Sequence, residues 1–207
     1  VIGEDQQIRT FTFFIPVPGL RADHHEVDFD TLYPQQEIVD YDEEGLRRAL
    51  ERLPCCTTNK DGSAQGDPLN LVVIADIDEL LHAFIRAGWD ETEIIHAASL
   101  FKTIRSFLFG GRYRYSPFSA LYLDGRPQDL SLQEARGSIH ERNHLRLWLT
   151  PMRIEGKPVW AGQISRDIGV RFTTKTLVTH KIDPDVDESR DFLIQDLLYS
   201  QGLVKVA

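Results

Sequence analysis

Cysteine is almost missing from this chain: Cys55 and Cys56 are its two copies, and they are neighbours. A bridge between consecutive residues would close a strained eight-membered ring, so two free thiols are expected and the redox compartment is left open. Long apolar runs are missing too. Nothing approaches the ~18 residues of a membrane-spanning helix, and no secretory leader is visible. The chain begins at Val1, so it reads as an excerpt of a longer protein. Positive charge is in deficit, with 23 Lys and Arg against 32 Asp and Glu, a net charge of −9. Phosphate backbones call for the opposite balance, so general nucleic-acid binding is not expected. No phosphate-loop or dinucleotide glycine pattern occurs, no G-x-S-x-G, no internal repeat and no low-complexity tract.

What is present is ordinary for a folded domain. Hydrophobic residues make up 42 % of the 207 positions and charged ones 27 %. A chain of this length buries roughly 70 % of its unfolded surface and needs no covalent staple. Residues 1–30 are expected to be a lead-in, possessing one strand at 8–17 and belonging in part to an upstream β-rich unit, and 31–207 to be one domain.

The pattern along that domain predicts an α+β fold. A short helix is expected at about 43–53, closed by Pro54, followed by a turn-rich loop over 57–68 and a buried strand over 69–75. Ile77, Leu80, Leu81, Phe84 and Ile85 repeat at helical spacing, which predicts a helix at 77–87 with Asp76 and Glu79 as a capping box. A further helix is predicted at 91–109 behind Asp90. From 118 to 182 the period changes to two, giving strands at 119–123, 144–150, 159–165, 169–172 and 175–182, mainly antiparallel, with a turn at Glu155-Gly156. A last helix is expected at 184–199, with Asp183 as cap and Pro184 in its first turn.

Most of the chemistry-bearing residues lie between Gly125 and Asp191. His140-Glu141-Arg142-Asn143-His144 matches H-E-x-x-H, which in a zinc peptidase must be helical. Here Leu145, Leu147 and Leu149 alternate at strand spacing immediately after it. On a strand, residues four apart are about 13 Å apart, too far to share one zinc. The same alternation puts His144, Arg146 and Trp148 on one strand face. That row suits an anion or planar ligand, or else the cover of a second core. Ser165-Arg166-Asp167 and Thr179-His180 offer an acid and an imidazole for proton transfer. Asp183, Asp185 and Asp187 resemble a calcium loop in spacing, but Glu188 and Ile194 stand where an EF-hand needs Gly and Glu.

Several phrases, taken in order, are familiar together. They are Gly66-Asp67-Pro68-Leu69-Asn70, Ala87-Gly88-Trp89, Tyr115-Ser116-Pro117, Gly125-Arg126-Pro127-Gln128-Asp129, Asn143 to Trp148, Arg166-Asp167-Ile168-Gly169, and Thr179 to Asp187. From about Leu69 to Gln195 the chain resembles the LssY C-terminal domain family of bacteria. The resemblance implies a cell-envelope setting associated with type I secretion, in a parent protein held to the membrane by segments outside this chain. The side of the membrane is left open. It implies no established reaction. Its recurring polar positions map to Arg126, Asp129, His144, Arg146, Asp167, His180, Asp183, Asp185 and Arg190.

Two functional readings follow, with a zinc peptidase as a minor third. In the first, the domain binds an anionic group, a small molecule or a lipid headgroup, through Arg126, Asp129, Arg146, Trp148 and Arg190 with the two histidines. In the second it hydrolyses a phosphoester, with His144 or His180 as acid and base and Asp167 orienting. Asp167, His180 and Asp183 are the candidate ligands if a divalent metal takes part.

Overall fold

The structure is a computed structural model that describes residues 31–91, 120–135, 142–171, 179–182 and 185–206. Its centre is a long hairpin of β9 (Arg142–Ile154) and β10 (Lys157–Arg171). Glu155 and Gly156 join the two strands with φ of 52° and 77°. Both central residues of a type I′ turn need positive φ, and that turn matches the natural strand twist. The expected strands at 159–165 and 169–172 are therefore one strand, with a register shift between Asp167 and Val170.

Each outer side of this hairpin is shared end to end by two short strands. On the β9 side, β8 (Leu130–Ala135) pairs antiparallel with Arg142 to Leu147, and β1 (Val39–Tyr41) pairs parallel with Met152 to Ile154. On the β10 side, β4 (Leu71–Ile74) pairs with Val159 to Gly162, and β11 (Thr179–Ile182) with Asp167 to Arg171. A two-residue strand, β5 (Asp90–Glu91), extends the sheet beyond β8, where the predicted helix was expected to begin. The rest of that helix, 92–109, lies outside the described residues, as do the strand expected at 8–17 and the lead-in.

One face of the sheet is apolar. Leu130, Leu132, Leu145, Leu147, Leu149, Trp160 and Ile164 are buried there against Leu80, Leu81 and Phe84 of α2 (Ile77–Arg86) and Leu193 and Leu197 of α3 (Val186–Tyr199). Gly162 sits in the row Leu130-Leu147-Gly162-Leu71. An added Cβ would stand 2.9 Å from Leu147 and 3.1 Å from Leu71, so the two leucines occupy that space. Over the other face, α1 (Glu43–Leu50) packs Leu46 and Ala49 on Met152 and Val159.

Beside α1 lies a four-stranded sheet in the order β3-β2-β6-β7. Its strands are β2 (Cys56–Thr58), β3 (Gln65–Pro68), β6 (Tyr122–Leu123) and β7 (Arg126–Pro127). The stretch expected as a turn-rich loop is thus a hairpin. Its outer turn is held by Asn59, whose side-chain oxygen accepts from Ala64 N at 3.1 Å and whose amide donates to Ser63 Oγ at 3.0 Å. The expected pair of free thiols is also corrected: Cys55 and Cys56 are joined by a disulfide.

Three further expectations change in detail. β4 is a half-exposed edge strand, with Val72 and Ile74 open to solvent, instead of a buried one. Asp76 precedes α2 without a side-chain capping bond, and Glu79 takes Lys157 Nζ at 2.6 Å. The cap of α3 is Asp185, which accepts from Glu188 N at 3.2 Å, and not Asp183.

Between β4 and β11 the β10 backbone would be left open, and Asn70 closes it. Its Oδ1 accepts from Ile164 N at 2.9 Å, and its Nδ2 donates to Ile164 O at 3.1 Å and Val186 O at 3.2 Å. One side-chain amide thus replaces a strand residue and ties in the start of α3. Asn70→Ala strands both polar groups of Ile164, which is fully buried. It is expected to cost about 2–3 kcal/mol in urea denaturation; a loss below ~0.5 kcal/mol would mean that the clasp is dispensable.

Candidate functional site

Strand alternation carries the polar groups to the face opposite α2 and α3. On β9 these are Arg142, His144 and Arg146, about 7 Å apart along the strand. β8 sets Gln133 opposite His144 and Ser131 opposite Arg146. β10 sets Ser165 opposite His144 and Gln163 opposite Arg146. All seven are buried. Arg142 Nη1 donates to Gln133 Oε1 at 3.1 Å, and Arg146 Nη1 to Gln163 Oε1 at 2.6 Å. Ser131 Oγ accepts from Gln128 Nε2 at 3.1 Å. Neutral amides therefore orient both guanidinium groups. Gln133 and Gln163 are fully enclosed, and Ser131, His144 and Arg146 keep 6–7 % of their surface.

Next along the same face the surroundings change. Trp148 is fully buried with Leu123 and Ala161, and its indole N–H donates to Arg126 O at 3.2 Å. Of the two readings of this face, the second core holds for Trp148, while Arg142 to Arg146 form a polar row.

Arg126 and Asp129 form a separate clasp. An Asp124-Gly125 turn, with φ of 50° and 76°, reverses the chain into β7 and delivers Arg126 to β9. The Arg126 guanidinium is paired with Asp129 Oδ1 and donates to Leu149 O at 2.6 Å and to Tyr33 Oη at 2.9 Å. Asp129 Oδ2 accepts from Leu149 N at 2.7 Å, and the Tyr33 hydroxyl donates to Leu149 O at 2.9 Å. β8 has ended by this point and β1 has not begun, so an ion pair stands in for a strand residue, as Asn70 does on β10. Burial pushes the Asp129 carboxyl above its ordinary pKa; Arg126 and the Leu149 N–H pull it part of the way back. Burial likewise raises the Tyr33 hydroxyl, against the pull of Arg126.

The other expected site residues are spread out. Asp167 lies two residues beyond Ser165 on β10 and pairs with Ile182, which puts its backbone roughly 8 Å from that of His144. His180 pairs with Val170 on β11, two strands across from His144 and five residues farther along β10. Strand spacing makes that separation roughly 15–20 Å. Arg190 sits on α3, paired with Asp187 at 2.9 Å and Asp191 at 3.4 Å, and α3 covers the apolar face. Arg190 and Arg146 are therefore on opposite sides of the sheet. Asp183, His140 and Glu141 lie outside the described residues, while Arg142 and His144 are already in strand β9. Among the described residues, no group of three or more His, Cys, Asp or Glu is placed to hold a metal, and no helix is long and apolar enough to cross a membrane.

Ser131, Gln133 and Gln163 were not singled out from sequence, and Arg142 and Ser165 were named only as members of motifs. Period two, extended one step upstream from His144, reaches Arg142, and the same phase from Ala161 reaches Gln163 and Ser165. Tyr33 carries no such signal, because its partner Leu149 is 116 residues away.

No curated protein and no solved structure matches the chain. Residues 47–207 match the family model described as LssY C-terminus, beginning before the familiar phrases and taking in the second half of α1, the small sheet, the central hairpin and α3. The match covers well over half of the chain, which therefore belongs to the LssY C-terminus family.

Proposed function

We propose that this domain binds an anionic group, a phosphate or a carboxylate, at the polar row of the central sheet. It would do so as the binding or accessory part of a membrane-associated bacterial envelope protein. The observation that carries the reading is the row itself: Arg142, His144 and Arg146 follow one another on one face, held by the neutral amides of Gln133 and Gln163. A guanidinium fixed by a side-chain carbonyl is preorganised for a charge-assisted hydrogen bond. In a low-dielectric setting such a charge attracts an anion far more strongly than an exposed lysine does. Arg146 supplies the charge, His144 an imidazole, and Ser131 adds a hydroxyl. The separation of His144 from His180 favours binding over a hydrolase that uses both imidazoles on one bond.

Isothermal titration with inorganic phosphate, and separately with acetate, tests the reading. Arg146→Gln is expected to weaken binding about tenfold or more, the loss of one charge-assisted hydrogen bond. Arg190→Gln, on the other side of the sheet, is expected to leave binding unchanged. Equal affinity in wild type and Arg146→Gln, or no binding of either probe by wild type, overturns the proposal.

A further inference from the structure

Cys55 and Cys56 stand where α1 hands over to the small sheet, at the rim of an open cavity of about 410 Å³. Leu50, Leu53, Pro54, Leu69 and Val72 line this cavity together with Cys55. Cys55 is exposed and Cys56 half-buried. The residues on either side are held independently of the bridge. Cys55 O accepts from Leu69 N at 2.9 Å, and Thr57 is fully buried, with its Oγ1 donating to Asp67 O at 2.9 Å. Between these anchors the β2–β3 ladder shifts register, from Cys56 opposite Pro68 to Thr58 opposite Gln65. Leu53 and Leu69, on the cavity wall, also pack against the cluster of Leu123, Trp148 and Ala161.

We propose that Cys55 and Cys56 form a reversible thiol–disulfide switch at the mouth of this cavity, opened by a dithiol reductant. A reductant thiolate attacks the sulfur of Cys55, the more exposed residue of the two, the S–S bond breaks, and Cys56 leaves as a thiolate. The reductant's second thiol then attacks the mixed disulfide and releases Cys55. Two electrons pass from the dithiol, which ends as its own disulfide, and two protons finish on the cysteine sulfurs. These 207 residues hold no third cysteine that could divert the exchange. Opening the eight-membered ring frees the backbone at the two cysteines, while Thr57 and the Leu69 bond hold the hairpin in place. The change is therefore local to the cavity rim.

Alkylation followed by intact mass measurement reads the chemistry. After treatment with an oxidised dithiol, no alkyl groups are expected; after the reduced dithiol, two. Amide hydrogen exchange reads the switch: Cys55 and Cys56 should exchange about threefold faster or more in the reduced protein, with Thr57 and Leu69 unchanged. A Cys55→Ser/Cys56→Ser chain should show the reduced pattern under both treatments, and its cooperative melt would show that the fold is retained. Two alkyl groups after oxidation, or disulfide-linked dimers in place of the internal bridge, overturn the bridge. Identical exchange in the two redox states overturns the switch.

Discussion

Asp129→Ala will cost about 3–5 kcal/mol of folding stability, more than any other substitution in the Leu149 clasp. The carboxylate is buried, and each oxygen has its own task, one on the Arg126 guanidinium and the other on Leu149 N. Its removal leaves a main-chain donor unsatisfied in the middle of β9 and a guanidinium without its counter-charge. Arg126→Ala will cost less, because Tyr33 still donates to Leu149 O. Tyr33→Phe will cost least, because Arg126 still does. Urea denaturation of the three variants tests the order, and Asp129→Ala ranking below Tyr33→Phe would refute the clasp as described. The pH dependence follows from the raised carboxyl pKa. A carboxyl whose folded value lies above its unfolded one stabilises fully below the unfolded value, near 3.9, and loses that contribution as pH rises through the folded value. Wild type should therefore gain on Asp129→Ala as pH falls from 7 towards about 4, so that the penalty grows on acidification instead of shrinking.

Trp160→Ala will cost a further-reaching 3–5 kcal/mol or about that. The indole is fully buried between the central hairpin and the two helices of the apolar face, opposite Leu149 on one side and Val73 on the other. Truncation leaves a cavity that sheet neighbours on both sides cannot collapse to fill. It also removes the donor to Ala75 O, at 2.9 Å, which holds the end of β4 just before α2. Trp160→Phe keeps most of the volume and loses the hydrogen bond, so about 1–3 kcal/mol is expected. Chemical denaturation distinguishes the two. A Trp160→Ala loss under ~1.5 kcal/mol would mean that α2 and α3 can close onto the sheet without the indole.

The parts legible in the sequence were those with a local cause. Alternation at Leu145, Leu147 and Leu149 identified β9 and the phase of His144, Arg146 and Trp148. Helical spacing from Ile77 to Ile85 identified α2, and Glu155-Gly156 identified the turn. Hidden parts had causes elsewhere in the chain. The β2–β3 hairpin has little apolar alternation, because Gln65, Gly66 and Asp67 form its second strand. β4 reads as a buried run, yet it is an edge strand, since only one of its sides finds a partner among the described residues. Arg126 and Asp129 stood out as polar residues, but their joint partner, the Leu149 peptide, could not be inferred from spacing. Trp148 shows the same limit: its strand phase was legible, and whether that face was wet or dry depended on Leu123 of the small sheet, with Leu53 and Leu69, arriving above it.

The end-to-end sharing of β9 and β10 has a kinetic consequence. The central hairpin closes through a two-residue turn and can form within microseconds. Two of its four flanking strands, β1 and β4, come from distant parts of the chain; Val39, for example, must reach Met152. High contact order of this kind puts complete folding in the millisecond-to-second range. Substitutions at Glu155-Gly156 should then act on the refolding arm of a chevron, and Asn70→Ala on the unfolding arm, because a clasp carried by the late-arriving β4 segment closes only after the barrier is crossed.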